Sequence, residues 1–405
     1  FYTVQLDCGF PAATDRMKDR KDADAIANAC KGKTVTVKSV ERKEKSEKAP
    51  ALYDLTSLQR DANRVLGYTS QQTLDYLQAL YEKKFCTYPR TDSRFLTDDM
   101  EGSVPGLVAA AAAVCGMEKP PTICAKQVCS SKKVTDHHAI VPTISAEKVD
   151  MASLPLGERE VLKLAARGLL RAVDEPHRYA ETVITVDCAG QSFTAKGKTV
   201  LAPGWKRYEQ EQAEAAPALP VVTENQTLSV SAASVKTGKT TPPKHFTEDT
   251  LLAAMENAGK EDMPDDAERK GIGTPATRSG IIEKLVSSGF VERRKSKKIT
   301  NLLPTSTGTA LITVLPEQLQ SPQLTAEWEH RLKEIEHGEI APDSFMGGIA
   351  AMLNELVQTY KPIPGAEVLF PSGREVVGRC PRCGAEVTES QKGFFCENRS
   401  CAFVL

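Results

Sequence analysis

The chain has 405 residues, more than one hydrophobic core usually supports, so two to four domains are expected. Apolar residues make up 40% of it and charged residues 26%, a composition that excludes fibrous and wholly disordered proteins. Lys and Arg number 52 against 53 Asp and Glu, so the net charge of −1 does not by itself indicate a polyanionic partner. The nearly apolar run from Gly106 to Met117 is shorter than the roughly 20 residues of a membrane span, so no membrane anchor is expected.

Residues 1–48 are predicted to form the first part of a β-rich domain. The segments FYTVQL and KTVTVKSV alternate like strands around a helical stretch that begins near Asp22 and ends near Gly32. Because the chain opens on a strand-like segment without an initiator Met, we expect it to be a fragment that starts inside a domain. The polar, mixed-charge stretch from Val40 to Pro50 is predicted to be a linker.

Residues 49–177 are predicted to form a helical domain, since apolar residues recur there at helical spacing. The first two helices carry Leu55, Leu58, Ala62, Val65 and Leu66, and then Leu74, Leu77, Leu80 and Tyr81. Alternation with a period of two returns over residues 178–245 and predicts a second part of the β-rich domain. Residues 246–360 are predicted to be helical with one β-hairpin, residues 361–375 a linker, and residues 376–405 a separate cysteine-rich module.

The segment CTYPRTDSRF gives the clearest indication of chemistry. Pro89 fixes its own φ and disfavours helix at Tyr88, so Tyr88, Pro89 and Arg90 are predicted to be extended. Residues two apart then share a face, which directs a Tyr88 nucleophile and a two-pronged Arg90 guanidinium at the same phosphate. Asp92 would orient Arg90 or cap a following helix. The alternative is a strand-to-helix turn with a packed tyrosine and a surface arginine.

Two further segments are candidates for contact with phosphate. DHHAIVPT contains His137 and His138, and a protonated imidazole can contact a phosphate near neutral pH; the alternative is a structural or surface pair. In GIGTPATRS, Thr274 and Pro275 fit a helix N-terminus whose free N–H groups bind anions, with Arg278 one turn further on. The following ERRKSKK, with five basic residues and one acidic, suits a nucleic-acid backbone or is simply a solvated surface.

The last 26 residues contain a predicted zinc site. The spacing C-x2-C-x12-C-x4-C is typical of two knuckles that surround one tetrahedral Zn²⁺, with ligands Cys380, Cys383, Cys396 and Cys401. The other seven cysteines are scattered and odd in number, which fits a reducing cytoplasm better than a disulfide framework. Two acidic groups are interpreted as solvated rather than magnesium-binding: Asp22 with Asp24, and Glu261, Asp262, Asp265 and Asp266.

Five segments in order resemble the type IA DNA topoisomerases, in particular the bacterial topoisomerase III kind. They are LYDLTSLQRDANRVLGYT, TYPRTDS, HHAIVPT, GIGTPATRSGIIEKL and LTAEWEHRL, which together cover roughly Ala51 to Tyr360. The resemblance implies a multidomain α+β protein with a toroidal core and a C-terminal zinc ribbon. Its parts would be a helical catalytic domain, a β-rich arch and a winged-helix-like helical DNA-binding domain.

The resemblance also implies roles for individual residues. Tyr88 would attack a single-strand phosphodiester to form a 5′-phosphotyrosyl link, Arg90 would position the phosphate, and His137 would contact the phosphate region. His138 stands where many relatives carry Glu. The residues expected to contact DNA are Ser57, Gln59, Asp92, Gly271, Gly273, Thr277 and Arg278.

The family's N-terminal Toprim domain, which supplies Mg²⁺ ligands and the groups that protonate the leaving oxygen, has no counterpart motif here. The resemblance implies an ATP-independent enzyme that relaxes or decatenates DNA. The fragment given by this sequence is expected to be inactive without the Toprim domain. Single-stranded and negatively supercoiled DNA are the expected partners, and a cytoplasmic monomer is expected. The alternative is a non-catalytic single-stranded DNA-binding module.

Overall fold

The computed structural model describes residues 1–209, 218–259, 271–297, 299–359, 369, 376–390, 393–398 and 400–405. The chain divides into two compact units, Phe1–Asp249 and Thr250–Leu405. No helix among the described residues is both long and apolar enough to cross a membrane.

A seven-stranded antiparallel sheet in the first unit is built from two separate stretches of chain. Its spatial order is β6-β3-β4-β5-β2-β1-β7. The strands are β1 (Tyr2–Asp7), β2 (Pro11–Ala13), β3 (Thr34–Glu47), β4 (His177–Cys188), β5 (Gln191–Ala202), β6 (Thr227–Ser229) and β7 (Ala232–Thr237). The chain leaves the sheet after β3 and returns at β4, which pairs with β3 along its whole length. Helix α1 (Arg20–Cys30) begins at the N-cap Asp19, three residues before Asp22, and ends before Gly32.

The prediction of a linker from Val40 to Pro50 is wrong for most of that segment, because β3 continues to Glu47. Val35 and Val37 are buried in the sheet core, but from Glu41 onward almost all of the β3 side chains are exposed. The β3 side chains meet solvent on both faces of this part of the strand, so the sequence shows no apolar alternation there. Ion pairs across the strands replace it, as between Lys45 Nζ and Glu181 Oε2 at 2.5 Å.

Four helices form the second core of the first unit. They are α2 (Leu55–Leu66), α3 (Ser70–Glu82), α4 (Val104–Cys115) and α5 (Leu156–Ala172). The predicted stripes of α2 and α3 are buried except near their C-terminal ends, where Leu66 is half-buried, Val65 is 41% exposed and Tyr81 is 39% exposed. The three-residue and four-residue spacing of apolar side chains thus predicted both helices, but it did not show where each buried stripe ends.

Gly168 in α5 lies against Tyr53, and we expect Gly168→Ala to destabilise the first unit. A Cβ at Gly168 would lie 2.3 Å from Tyr53 Cε2. Overpacking of this kind costs about 1–3 kcal/mol, which outweighs the gain in helix propensity of roughly 1 kcal/mol. Gly106→Ala in α4 is the matched control, because its Cβ would meet Ile144 Cδ1 at an ordinary 3.5 Å. Thermal unfolding in which Gly168→Ala melts no lower than Gly106→Ala would contradict this packing.

The second unit is mainly helical, with one β-hairpin and a small sheet at its C-terminal end. Helix α6 (Glu248–Asn257) leads into it, and its helices are α7 (Pro275–Ser287), α8 (Ser306–Val314), α9 (Glu317–Gln320), α10 (Gln323–Glu336) and α11 (Pro342–Thr359). The predicted hairpin is present as β8 (Val291–Ser296) and β9 (Ile299–Pro304). A core cluster joins α6, α7 and β9 through Leu252, Met255, Ile282 and Leu302.

The C-terminal cysteines lie on a three-stranded antiparallel sheet, β10-β11-β12. Its strands are β10 (Val376–Arg379), β11 (Glu386–Ser390) and β12 (Gly393–Cys396). Of the predicted linker 361–375, all but residue 369 lies outside the described residues. The acidic residues Glu261, Asp262, Asp265 and Asp266 lie outside them as well.

Candidate active site

The TYPRTDS and HHAIVPT segments lie side by side, joined by the residue that precedes Tyr88. The Thr87 backbone N–H donates to Val141 O at 3.0 Å, and Val141 N–H donates to Thr87 Oγ1 at 3.0 Å. Thr87 Oγ1 also donates to Ala139 O at 2.9 Å. Cys86 pairs with Pro142 in an isolated antiparallel bridge. The two segments therefore form one site, although 49 positions separate Tyr88 from His137.

Tyr88 is half-buried, with its ring against His137. The two ring centroids are 4.2 Å apart and the planes are tilted by 41°. The Tyr88 ring also packs edge-to-face with the ring of Tyr81 in α3, at a centroid distance of 5.4 Å. The phenol is thus held between a helix and the histidine segment while part of it reaches solvent. The Tyr88 ring is therefore held in a fixed place by the two rings beside it.

Cys86, two residues before Tyr88, is not a candidate nucleophile. It is 2% exposed, and burial raises the pKa of its thiol to about 12. At neutral pH it therefore stays protonated, and the thiolate is the reactive form.

The predicted extended conformation from Tyr88 to Arg90 is wrong, because the chain bends at Pro89 and Arg90. Pro89 is buried and Arg90 is exposed to solvent. Pro89 excludes a helix as expected, but hydrogen bonds from the flanking threonines hold the segment as an irregular loop. The shared face of an extended chain is therefore not what relates Tyr88 to Arg90.

Thr91 fixes the far side of this loop, and Asp92 has a different partner from the predicted ones. Buried Thr91 donates its hydroxyl to His137 O at 2.8 Å. Asp92 Oδ1 accepts from Thr135 Oγ1 at 3.0 Å. The prediction that Asp92 caps a helix is wrong, since the chain is irregular until a 3₁₀ turn begins at Asp98. Sequence reasoning missed the contacts of Thr87 and Thr91, because a hydroxyl that donates to a distant carbonyl leaves no periodic signal in the sequence.

Ser57 and Gln59, the candidate DNA contacts in α2, make local hydrogen bonds. Ser57 forms a capping box with Asp54, whose Oδ1 accepts from Ser57 N at 2.7 Å. Gln59 is fully buried and donates from Nε2 to Ser70 O at 3.0 Å. In this structure both side chains therefore shape helix ends, and the start of α2 adjoins the loop that carries Tyr88, since Leu55 N–H donates to Thr91 O at 3.1 Å.

The predicted N-terminus at Thr274 is confirmed, with Pro275 in the first turn. Gly271 has φ +87°, and a Cβ there would lie 2.2 Å from Met255 O, so a glycine is required. Gly273 has φ +68°, and the exposed Thr277 accepts from Thr274 N at 2.9 Å.

Arg278 is buried in the interior of this helix start. Its Nε donates to Ile272 O and its Nη2 to Gly273 O, both at 3.1 Å. The guanidinium therefore organises the glycine loop in this structure.

The basic stretch on β8 and its turn is partly neutralised. Arg293 forms a two-pronged ion pair with Glu283, at 2.6 Å and 3.2 Å, and Arg294 pairs with Glu292. Lys295 and Lys297 are exposed. A count of charges along the sequence thus overstated the cationic character of the hairpin, because one partner, Glu283, lies on α7.

The four C-terminal cysteines form a candidate metal centre. Their sulfur atoms all lie within 4.8 Å of one another, with Cys380 Sγ 3.7 Å from Cys401 Sγ and Cys383 Sγ 3.5 Å from Cys396 Sγ. A tetrahedral ion with bonds of about 2.3 Å to sulfur would place its ligands about 3.8 Å apart, so the donor set fits Zn²⁺. Within the described residues, no other group of three or more His, Cys, Asp and Glu side chains has this property.

The first knuckle favours a thiolate. Arg382 N lies 3.4 Å from Cys380 Sγ. Burial opposes the charged form of Cys380, but the backbone N–H groups of Arg382 and Cys383 and the neighbouring thiols together lower its pKa to about 7. A metal ligand must be deprotonated, so this arrangement suits metal binding.

Comparison with known proteins places the chain in a family. A family model described as DNA topoisomerase matches residues 2–347. DNA topoisomerase 3 of Bacillus licheniformis is 36% identical over 400 residues, which cover 93% of this chain and 54% of that protein. DNA topoisomerase 3 of Bacillus subtilis is 36% identical over 395 residues, covering 91% of this chain and 53% of that protein. The chain thus spans about half the length of the curated relatives that it matches.

A solved structure shares the fold. Full-length topoisomerase I from Thermotoga maritima aligns with a TM-score of 0.69 at 21% identity, covering 100% of this chain and 65% of that one. The α+β fold of the type IA topoisomerases, predicted from five short motifs, is confirmed. With the family model matching most of its length, the chain belongs to the type IA DNA topoisomerases.

Proposed function

We propose that the chain carries the DNA-cleaving tyrosine of an ATP-independent type IA topoisomerase that relaxes or decatenates DNA. The Tyr88 phenolic oxygen attacks one phosphodiester of a single strand, the bond from phosphorus to the 3′ oxygen breaks, and a 5′-phosphotyrosyl ester forms. The phenol loses a proton and the departing 3′ oxygen gains one. Because one ester replaces another, the bond energy is retained, and the reverse step reseals the strand without ATP after strand passage.

The observation that carries the proposal is the position of the Tyr88 ring, half-buried against His137 on a loop held by Thr87 and Thr91. A fixed nucleophile reacts faster than a mobile one, because the entropy of positioning has already been lost on folding. In the proposed reaction, exposed Arg90 neutralises the scissile phosphate and His137 contacts it from the other side of the phenol. The Toprim domain implied by the resemblance supplies Mg²⁺ and the proton for the leaving oxygen.

The proposed DNA path includes the helix start at Thr274. N–H groups at the N-terminus of α7 suit a phosphate, and Thr277 is exposed beside them. Gly271 and Gly273 supply the left-handed backbone of the loop that leads into this helix. Arg278 contributes to this phosphate site by holding the glycine loop through Ile272 O and Gly273 O, which places its positive charge next to the loop. Ser57, Gln59 and Asp92 act next to the catalytic loop through the contacts described above.

A cleavage assay separates this function from simple single-stranded DNA binding. The natural protein containing this chain, incubated with Mg²⁺ and negatively supercoiled plasmid, is expected to relax it without ATP. Rapid denaturation should leave a broken strand with protein attached at its 5′ end. A non-catalytic binding module would retard a labelled oligonucleotide on a gel but leave every phosphodiester intact, and that result would overturn the proposal.

The 405-residue chain alone is expected to bind single-stranded DNA but not to relax plasmid. Each phosphate contact should lower the slope of log affinity against log salt by about 0.7, so binding weakens steeply as salt rises. Fluorescence anisotropy of a labelled oligonucleotide over a salt series measures this slope. Relaxation by these residues at a normal rate would show a complete metal-assisted site within them and would contradict the role given to the Toprim domain.

We propose that the ion at the cysteine centre is Zn²⁺, one per chain, held by Cys380, Cys383, Cys396 and Cys401. Replacing Cys380 and Cys383 together by serine is expected to remove the zinc, because two ligands cannot retain it. Cys124→Ser, at a half-buried cysteine outside the cluster, is the matched control and should keep a full equivalent. Elemental analysis that finds zinc retained in the double variant, or none in the parent chain, would contradict the assignment.

We infer that the protein works as a monomer in the cytoplasm. None of the eleven cysteines forms a disulfide in the structure. This state is the one expected in a reducing compartment, where disulfides are rare.

A further inference from the structure

A groove in the second unit lies between helices α10 and α11 and is lined on both sides by residues at helical spacing. Its cavity has a volume of about 430 Å³. Leu324, Glu327, Trp328 and Arg331 line it from α10, while Phe345, Gly348, Ile349 and Met352 line it from α11. This volume falls within the roughly 300–1,000 Å³ typical of small-molecule sites.

Two aromatic rings give the groove flat apolar surfaces. The ring centroids of Trp328 and Phe345 are 6.2 Å apart, with an angle of 84° between the planes. Because the rings are nearly perpendicular, the edge of one covers at most one face of the other, and the second indole face is not covered by this pair. Both residues are half-buried, so the rings are held by packing and still reach the groove.

The polar groups of the groove are balanced in charge. Arg331 is exposed, and its Nη1 lies only 3.1 Å from where a Cβ of Gly348 would be, so the glycine lets the guanidinium lie against α11. Glu327 on the same helix face offsets its charge. The side-chain amides of Gln318 and Gln323 at the rim add uncharged donors and acceptors. This set suits a flat, uncharged ring with hydrogen-bonding edges better than a phosphate.

We propose that the groove binds one unpaired nucleobase of single-stranded DNA, stacked on Trp328. The guanidinium of Arg331 and the rim amides contact the edges of the base. Stacking of this kind contributes about 1–3 kcal/mol per base and tolerates any base, because every base has a π-face. The inference deepens the proposed function, on which it rests for the presence of single-stranded DNA, and it adds a base-binding position outside the Tyr88 site.

Intrinsic fluorescence tests this directly, since the chain has 2 tryptophans, Trp205 and Trp328. In a Trp205→Phe background all indole emission comes from Trp328. Saturation with an oligothymidylate is expected to quench that emission strongly, whereas an abasic oligonucleotide of equal length should leave it almost unchanged. If Trp205→Phe does not fold, the difference between the parent chain and Trp328→Phe gives the same signal.

Affinity provides the second measurement. Trp328→Leu should weaken oligothymidylate binding on the order of 5–150-fold, the range that corresponds to one stacked base. It should leave affinity for the abasic strand unchanged, and Trp328→Phe should recover most of the loss because it retains an aromatic face. Phe246→Leu removes a half-exposed aromatic ring outside the groove and serves as the control with parental affinity.

The outcomes separate the two proposals. Oligothymidylate binding without quenching, or with equal affinity in Trp328→Leu, overturns the base-binding groove and leaves the cleavage function standing. Such a result would assign the groove to another occupant, such as a polypeptide segment. A parent chain that binds no single-stranded DNA by anisotropy also overturns the groove, whereas the relaxation assay on the natural protein decides the cleavage function.

Discussion

Replacing Tyr88 by phenylalanine is expected to abolish the covalent protein–DNA adduct and leave single-stranded DNA binding close to that of the parent protein. Only the phenolic oxygen can form the ester, so its removal eliminates the reaction rather than slowing it. The ring itself would remain packed against His137 and Tyr81, so the loop should keep its shape. Denaturant trapping on a labelled oligonucleotide measures the adduct, and anisotropy measures binding.

Tyr81 offers a matched control for this experiment. It is 39% exposed on α3, its ring is 5.4 Å from that of Tyr88, and it carries the same phenol. Tyr81→Phe should therefore retain the adduct if Tyr88 is the nucleophile. An adduct that persists in Tyr88→Phe, or that disappears in Tyr81→Phe with folding intact, would move the nucleophile to the neighbouring phenol.

The resemblance placed Tyr88 and His137 at the same phosphate because each lies in a short family motif, but it did not predict that their rings pack together. Proximity followed from the resemblance, not from any periodic pattern, since 49 positions separate the two residues. The helices α2 and α3 followed from apolar spacing, and a hairpin was predicted in the segment that forms β8 and β9. These are features that a local sequence window contains.

Other features depend on contacts that no window contains. Thr87 and Thr91 bind carbonyls of a distant segment, so their role appears only once Ala139 and His137 are in place. Arg278 was predicted to add a charge at a phosphate-binding helix start, but the glycine loop folds over its side chain and buries it.

Two predictions from charge patterns, the basic hairpin surface and the linker after Val40, were inaccurate because they too depended on contacts with other elements. The run ERRKSKK loses part of its positive charge to Glu283 on α7, and the polar part of β3 is a strand because Glu181 and its neighbours on β4 pair with it. In both places the partner lies on another element. A count of charges along the sequence measures local composition, whereas the field at a surface depends on which elements pack together.

Arg90→Lys is expected to slow DNA cleavage by about 10²–10³-fold although it preserves the charge. A planar guanidinium can hold two phosphate oxygens at once, while an ammonium is a compact point charge that cannot reproduce this geometry. Loss of one such transition-state contact costs about 2.7–4 kcal/mol. Because Arg90 is exposed and the chain bends at this residue, the substitution should not disturb packing, and stability should stay near that of the parent.

Single-turnover cleavage of a labelled oligonucleotide at saturating protein separates this effect from weaker binding. Arg94→Lys is the matched control, since Arg94 is a second exposed arginine close by, whose Nε donates to Leu52 O at 3.0 Å. It should cleave at nearly the parental rate. Near-normal cleavage by Arg90→Lys would remove Arg90 from the phosphate site. An equal loss in both variants would show a general disturbance of the loop rather than a two-pronged contact specific to position 90.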